Sequence, residues 1–240
     1  MTVTALQAEG EFRIGSVLSR AWNVLFANFP FFFLVAVVTA LPGAVWPLVV
    51  DPTKHLVANV LVTVVSIVLG TIGQAVILVG AFQYLRGEPV QAGEAFRQAM
   101  ARFLPLVGLG ILYGLGVGIG FVLLIVPGLI LLARWAVVIP ACLVEGTSPT
   151  DSMSRSASLT EGNRWKVLGV LLLTIIVFLI VYSIFHLALN PAGIYATQIG
   201  TLLLQGVWGA FFNCLAIMIY HDLRMAKEGI SSKQIVAVFD

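Results

Sequence analysis

The chain has 240 residues, of which 60% are hydrophobic and 10% charged, against roughly 45–50% and 25% in a typical soluble domain. That much apolar surface excludes a soluble domain of this length, and with it the disordered, collagen-like and disulfide-scaffold classes. Thirteen basic and eleven acidic residues leave a net charge of +2, too balanced for a nucleic-acid binder. Lipid is the expected solvent for most of the chain.

Residues 1–14 contain Glu9, Glu11 and Arg13 and have no early apolar core, so they do not read as a signal peptide. A helix crosses a bilayer core with about 20 apolar residues. On that rule six spans follow in order: Phe31 to Val50, Leu56 to Leu85, Leu106 to Val126, Leu129 to Val144, Val167 to Leu189, and Ile194 to Tyr220. The third is expected to end at an outer turn, Pro127-Gly128. The fourth is short, contains Arg134 and Pro140, and could cross fully or re-enter; full crossing suits the charges better.

Lys and Arg mark the cytoplasmic side. With the N-terminus inside, the cytoplasmic set is Arg13, Arg20, Arg86, Arg97, Arg102, Arg155, Arg164, Lys166, Arg224, Lys227 and Lys233. Those are eleven of the thirteen basic residues. Lys54 alone falls outside and Arg134 lies within a span. Both termini are then cytoplasmic, in a bacterial inner membrane. The expected fold is an all-α integral membrane bundle of six transmembrane helices in three hairpins.

Each hairpin is preceded by an amphipathic stretch read as an interfacial helix. Gly15–Pro30 carries Leu18, Ala21, Trp22 and Leu25; Gly93–Pro105 carries Phe96, Met100 and Phe103; Ser148–Lys166 carries Met153, Ala157 and Leu159. Ser148 and Pro149 look like an N-cap and first-turn proline, with Asp151 suited to the helix N-terminus. The single membrane domain thus divides into pseudo-repeats at about 13–88, 89–146 and 147–229, followed by a cytoplasmic tail, 230–240. Arg20, Arg97, Arg102 and Arg155 would stay in water or meet lipid phosphate.

Inside the spans the sequence offers packing and polar groups. Gly110, Gly114 and Gly118 recur every four residues, a stripe expected to pack helices closely; Gly116 and Gly120 form a second pair. Arg134, six residues past Gly128, would lie about 9 Å deep. A charge there needs a partner, water or a path to the interface. It is read first as an orienting contact to backbone carbonyls or lipid phosphate, second as a substrate or anion contact in a central cavity. Gln74 and Asn213 are expected to hydrogen-bond between helices, and His186 to sit near the outer interface. Cys142 and Cys214 read as buried small hydrophobes. Ser152, Ser154, Ser156 and Ser158 read as a solvated face. No zinc-ligand spacing, nucleophile elbow, phosphate loop or paired acids are seen, so neither catalysis, cofactor nor metal is expected.

Arg134–Gly169 (RWAVVIPACLVEGTSPTDSMSRSASLTEGNRWKVLG) and Tyr220–Gly229 (YHDLRMAKEG) resemble the membrane domain found beside some glycerophosphoryl diester phosphodiesterases. They equally resemble YciC-like bacterial inner-membrane proteins. The pattern extends upstream to FRIGSVLSRAWNVLFANF, Gln74 and Leu85-Arg86-Gly87. Matching positions are Arg134, Pro140, Glu145, Gly146, Ser156, Leu159, Gly162, Trp165, Tyr220, Asp222, Leu223, Arg224, Glu228 and Gly229. The resemblance implies a helical, multi-span protein. In fused members a separate soluble domain does the chemistry, and that domain's acid and histidine motifs are not in this sequence.

The matching polar residues share a predicted depth at the inner face. Glu145, Arg155, Asp222, Arg224 and Glu228 are therefore expected to form an ion-pair network, with Arg134 and Trp165 as further structural or lipid-contact candidates. A lipid-headgroup site on the same surface is the alternative. The expected function is that of a non-catalytic membrane protein engaging membrane lipids, another membrane protein or a second copy of itself. The alternative is a transporter or channel for a small solute or lipid, with a central site near Arg134.

Overall fold

The computed structural model describes residues 12–50 and 54–228. These are helical, with no strand among them. In chain order the helices are α1 (Ile14–Ala27), α2 (Phe29–Val49), α3 (Leu56–Leu85), α4 (Ala92–Ala101), α5 (Phe103–Leu123), α6 (Ile125–Arg134), α7 (Val138–Glu145), α8 (Pro149–Thr160), α9 (Arg164–Leu189) and α10 (Ile194–Glu228). A 3₁₀ turn, Asn190–Ala192, joins the last two. The Asp51 boundary, Gly229, Lys233 and the 230–240 tail lie outside the described residues.

Six segments are long and apolar enough to cross a membrane: α2, α3, α5, α6 with α7, α9 and α10. Their outward faces carry unpartnered hydrocarbon, with Val122 86% exposed and Leu187 74% exposed. In water that surface would oppose folding; against acyl chains it is neutral. Helices adjacent in sequence pack together (α2 on α3, α5 on α6, α9 on α10), while α10 also contacts α1, α2 and α3.

The core lies toward the C-terminal half of α10. There Phe211, Leu215, Ile217, Met218, Ile219 and Leu223 are essentially buried. They pack with Val17, Ala21 and Leu25 of α1, Phe32 of α2, and Ile77 and Leu78 of α3. On α1 the buried face is Val17, Ala21, Val24 and Leu25, rotated slightly from the Leu18–Trp22 face read in the sequence. On α4, Ala95 and Ala99 turn inward while Phe96 and Met100 face out.

The turn after the third span falls at Leu124, whose backbone is extended (φ −163°, ψ 154°), not at Pro127-Gly128. Pro127 is the third residue of α6, where a missing N–H leaves no hydrogen bond unmade. Gly128 lies against Phe121, and a Cβ on Gly120 would come within 3.0 Å of Gly128 Cα. The close approach of α5 and α6 therefore uses Gly120 and Gly128, and Gly116 likewise admits the Trp135 ring. Gly110, Gly114 and Gly118 are exposed and have nothing within 4 Å of an added Cβ. The expected packing stripe thus faces away from the bundle. The four-residue spacing identified a common face but not its direction.

The fourth span is broken between α6 and α7. Pro140 is the cause: it cannot donate to the carbonyl four residues back, and its ring crowds that position. Buried backbone groups at the break still need partners. Ser156 supplies two, donating to Arg134 O at 3.0 Å and accepting from Val137 N at 3.3 Å. Thr160 Oγ1, whose shortest hydrogen bond is to Ser156 O of its own helix at 2.9 Å, also lies 3.2 Å from Arg134 O. Ser152, Ser156 and Thr160 recur every four residues and are 0% exposed. The serine run is thus half buried staple and half surface, with Ser154 and Ser158 outside.

Two outcomes follow. Ser156→Ala leaves Arg134 O with one donor and Val137 N with none, costing about 1–3 kcal/mol in detergent unfolding; Ser154→Ala shows no comparable loss. Gly120→Leu, which drives a side chain into α6, lowers the melting temperature by the equivalent of about 1–3 kcal/mol, whereas Gly114→Leu leaves it nearly unchanged.

Candidate functional site

Helix α8 begins as the sequence implies. Pro149 opens its first turn, and the Ser148 hydroxyl accepts a hydrogen bond from Asp151 N at 3.3 Å. The helix runs back along α7, so that Arg155 meets Glu145. Arg155 Nε donates to both Glu145 oxygens at 2.8 Å. Its Nη2 pairs with Glu228 at the end of α10. Glu228 also accepts from Arg224 Nε at 3.0 Å, one turn earlier. Tyr220 closes the circuit by donating to Glu145 Oε1 at 2.8 Å. Partial burial works against the Arg155 charge, but the hydrogen bonds and charges of Glu145 and Glu228 outweigh it and raise its pKa.

Two acids and two arginines make this cluster electrically balanced. It ties α7, α8 and α10 together. Asp222 is not in it: it pairs with Arg20 of α1 and lies 3.5 Å from His221 Nδ1. Helix geometry explains the division. Tyr220, Arg224 and Glu228 are spaced by four and share a face, whereas Asp222 is about 200° around from Tyr220. Arg155 is held between two carboxylates rather than left for lipid phosphate. Tyr220 and Arg20 were missing from the residues expected in the network. The four-residue spacing would have pointed to Tyr220, while nothing local signals Arg20.

A further clasp joins α4 to the same end. Gly146 caps α7 in the left-handed conformation (φ 69°), and Arg102 Nη1 donates to its carbonyl at 2.7 Å. Lys227 pairs with Glu161 at 3.6 Å.

Trp165 belongs to a different surface. A groove of about 180 Å³ is lined by Ile130, Ala133, Arg164, Trp165 and Leu168, between α6 and α9. Trp165 is 75% exposed. Arg164 donates through Nη2 to Ala157 O at 3.4 Å, while its buried Nε has no partner among the described residues. Arg134 ends α6 next to Ala133. Its side chain is exposed and makes no hydrogen bond or ion pair among the described residues. Measured from the turn at Leu124, Arg134 lies ten residues along, about 15 Å at helical rise, so it is farther from the outer turn than Gly128 implied.

Gln74, His186 and Asn213 line a third region, a polar cavity between α2, α3, α9 and α10, which does not include Arg134. Asn213 bonds within its own helix, to Gly209 O at 2.8 Å, and not across helices. Cys142 and Cys214 are buried free thiols. Among the described residues no three His, Cys, Asp or Glu gather as a metal site.

Six apolar spans and a balanced polar clasp at one end define a multi-pass membrane protein. Residues 113–224 match the family model described as the membrane domain of glycerophosphoryl diester phosphodiesterase. The match takes in Arg134–Gly169 and reaches Arg224, so it carries Glu145, Arg155 and Tyr220 but stops before Glu228. The upstream segments that also suggested the resemblance lie outside it. The model describes the membrane part of such a phosphodiesterase and not a catalytic domain. No curated protein and no solved structure matches the chain.

Arg155→Ala leaves Glu145 and Glu228 short of a cation in a partly buried setting. It costs about 1–3 kcal/mol in detergent unfolding, less than a fully buried pair would. Arg20→Ala, removing a half-exposed partner, costs under about 1 kcal/mol by the same measurement.

Proposed function

We propose that the chain is a non-catalytic, polytopic protein of a bacterial inner membrane that engages anionic lipid headgroups at the α6–α9 groove. The observation that carries this reading is the apolar groove lined by exposed Trp165 and partly satisfied Arg164, with exposed Arg134 following Ala133 of that lining in the chain. An indole at that position suits the headgroup level of a bilayer. Guanidinium groups suit phosphate because they offer paired donors in one plane. The apolar groove floor suits the start of an acyl chain. Each requirement of a phospholipid has a residue beside it.

The orientation follows the basic residues. The ion-pair end, with α1, α8 and the C-terminal turn of α10, faces the cytoplasm, and α1, α4 and α8 lie at the bilayer surface as three copies of one device. Further membrane-protein partners, or a second copy, would be engaged through these surface helices. A transport site centred on Arg134 has less support, because Arg134 lies outside the large polar cavity.

The test is native mass spectrometry after graded delipidation from membranes containing phosphatidylglycerol. Wild-type protein retains the anionic lipid. Arg134→Gln retains about fivefold less, the equivalent of about 1 kcal/mol per basic residue at an anionic surface. Equal retention, or equal retention of phosphatidylcholine by the wild type, contradicts the proposal.

A further inference from the structure

The cavity between α2, α3, α9 and α10 is separate from the ion-pair cluster and from the lipid groove. Its volume is about 530 Å³, within the range of small-molecule sites. It runs along α10 from Thr197 to Asn213, about 24 Å at helical rise. Ile77, 1% exposed, lies where the cavity meets the packed core.

Its walls mix polar and apolar groups, with no Asp, Glu, Lys or Arg among the described residues. Polar side chains come from all four helices, including Ser66 and Gln74 of α3, His186 of α9, and Gln205 and Asn213 of α10. Several have hydrogen-bonding capacity to spare. Asn213 is only 8% exposed, and its Oδ1 has no partner. Ser66 Oγ is also buried without one. The side-chain amides of Gln74 and Gln205 bond to no other described residue. Buried polar atoms such as Asn213 Oδ1 and Ser66 Oγ are ordinarily satisfied by protein, water or a bound group, and the exposed Gln205 and half-buried Gln74 amides are free to meet the same occupant. Glycine keeps the space open: Gly70 and Gly209 line the cavity, and a Cβ on either would meet nothing within 4 Å.

We infer that this cavity binds an uncharged, hydroxyl-rich group, either a free polyol or sugar or the headgroup of an uncharged glycolipid. An occupant must donate to Asn213 Oδ1 and accept from the glutamine amides, which hydroxyls do together. A formally charged group would enter a partly desolvated site without a counter-charge, which disfavours it.

The experiment uses the full chain in phosphatidylcholine nanodiscs and measures saturable binding of three probes: D-glucose, octyl β-D-glucoside and octyl sulfate. One or both uncharged probes bind at one per chain, and octyl sulfate does not. Glucose binding identifies a free solute as the source; binding of octyl glucoside alone identifies a lipid-borne headgroup. Gly70→Leu, which fills the cavity without removing a polar group, weakens binding at least tenfold. Asn213→Leu does the same, with Gln205→Leu in its place if that variant does not fold. The inference is overturned if neither uncharged probe saturates, if octyl sulfate binds equally, or if the folded variants bind like wild type.

Discussion

Backbone hydrogen bonding in a solvent that offers none is the constraint on which this structure depends. A straight helix meets it without help. The fourth span does not, because Pro140 prevents one continuous helix. The carbonyl of Arg134 and the amide of Val137, left without helical partners at the break, must therefore be met from elsewhere, and Ser156, with Thr160 nearby, meets them from α8. Helix α8 is held against the bundle by this need. Once it is there, Arg155 reaches Glu145 and Glu228, and the end of α10 is drawn into the same cluster.

The two ends of the molecule are built differently. Toward the ion-pair end, α10 is surrounded by α1, α2 and α3 and buries a continuous apolar core. Toward the other end, glycine and polar residues replace that core, and the helices border a half-open cavity. Apolar attraction does not close such a space in lipid, because acyl chains are as apolar as the side chains they would meet. Gly70 and Gly209 leave space along its walls, and Asn213 Oδ1 and Ser66 Oγ have no partner among the described residues.

Much of the architecture was legible because lipid imposes a simple length rule. Six apolar runs gave six spans with boundaries close to those observed, and Ser148-Pro149 gave the start of α8. The Leu124 turn was not legible, since Pro127-Gly128 looks like a chain reversal but fits a first helical turn equally well. Glycine spacing could not say which of two stripes on α5 faced α6. At the candidate sites, shared depth grouped Glu145, Arg155, Arg224 and Glu228, but depth ignores angle, and Asp222 proved to be on another face. Ser152 and Ser156 looked solvated because serine usually is; their burial depends on a helix break in a different segment. The cavity was also hidden: Gln205 and Asn213 share one face of α10, eight residues apart, but nothing in the sequence relates that face to Gln74 of α3 or His186 of α9.

The central claim is that α8 is fastened to the broken fourth span through specific charges and is not merely resting beside it. A double-mutant cycle on Glu145→Gln and Arg155→Gln, read by reversible unfolding in detergent, tests this most directly. A coupling of about 1 kcal/mol or more is predicted for residues in one hydrogen-bonded network. Additivity within about 0.3–0.5 kcal/mol, the behaviour of independent sites, would contradict it.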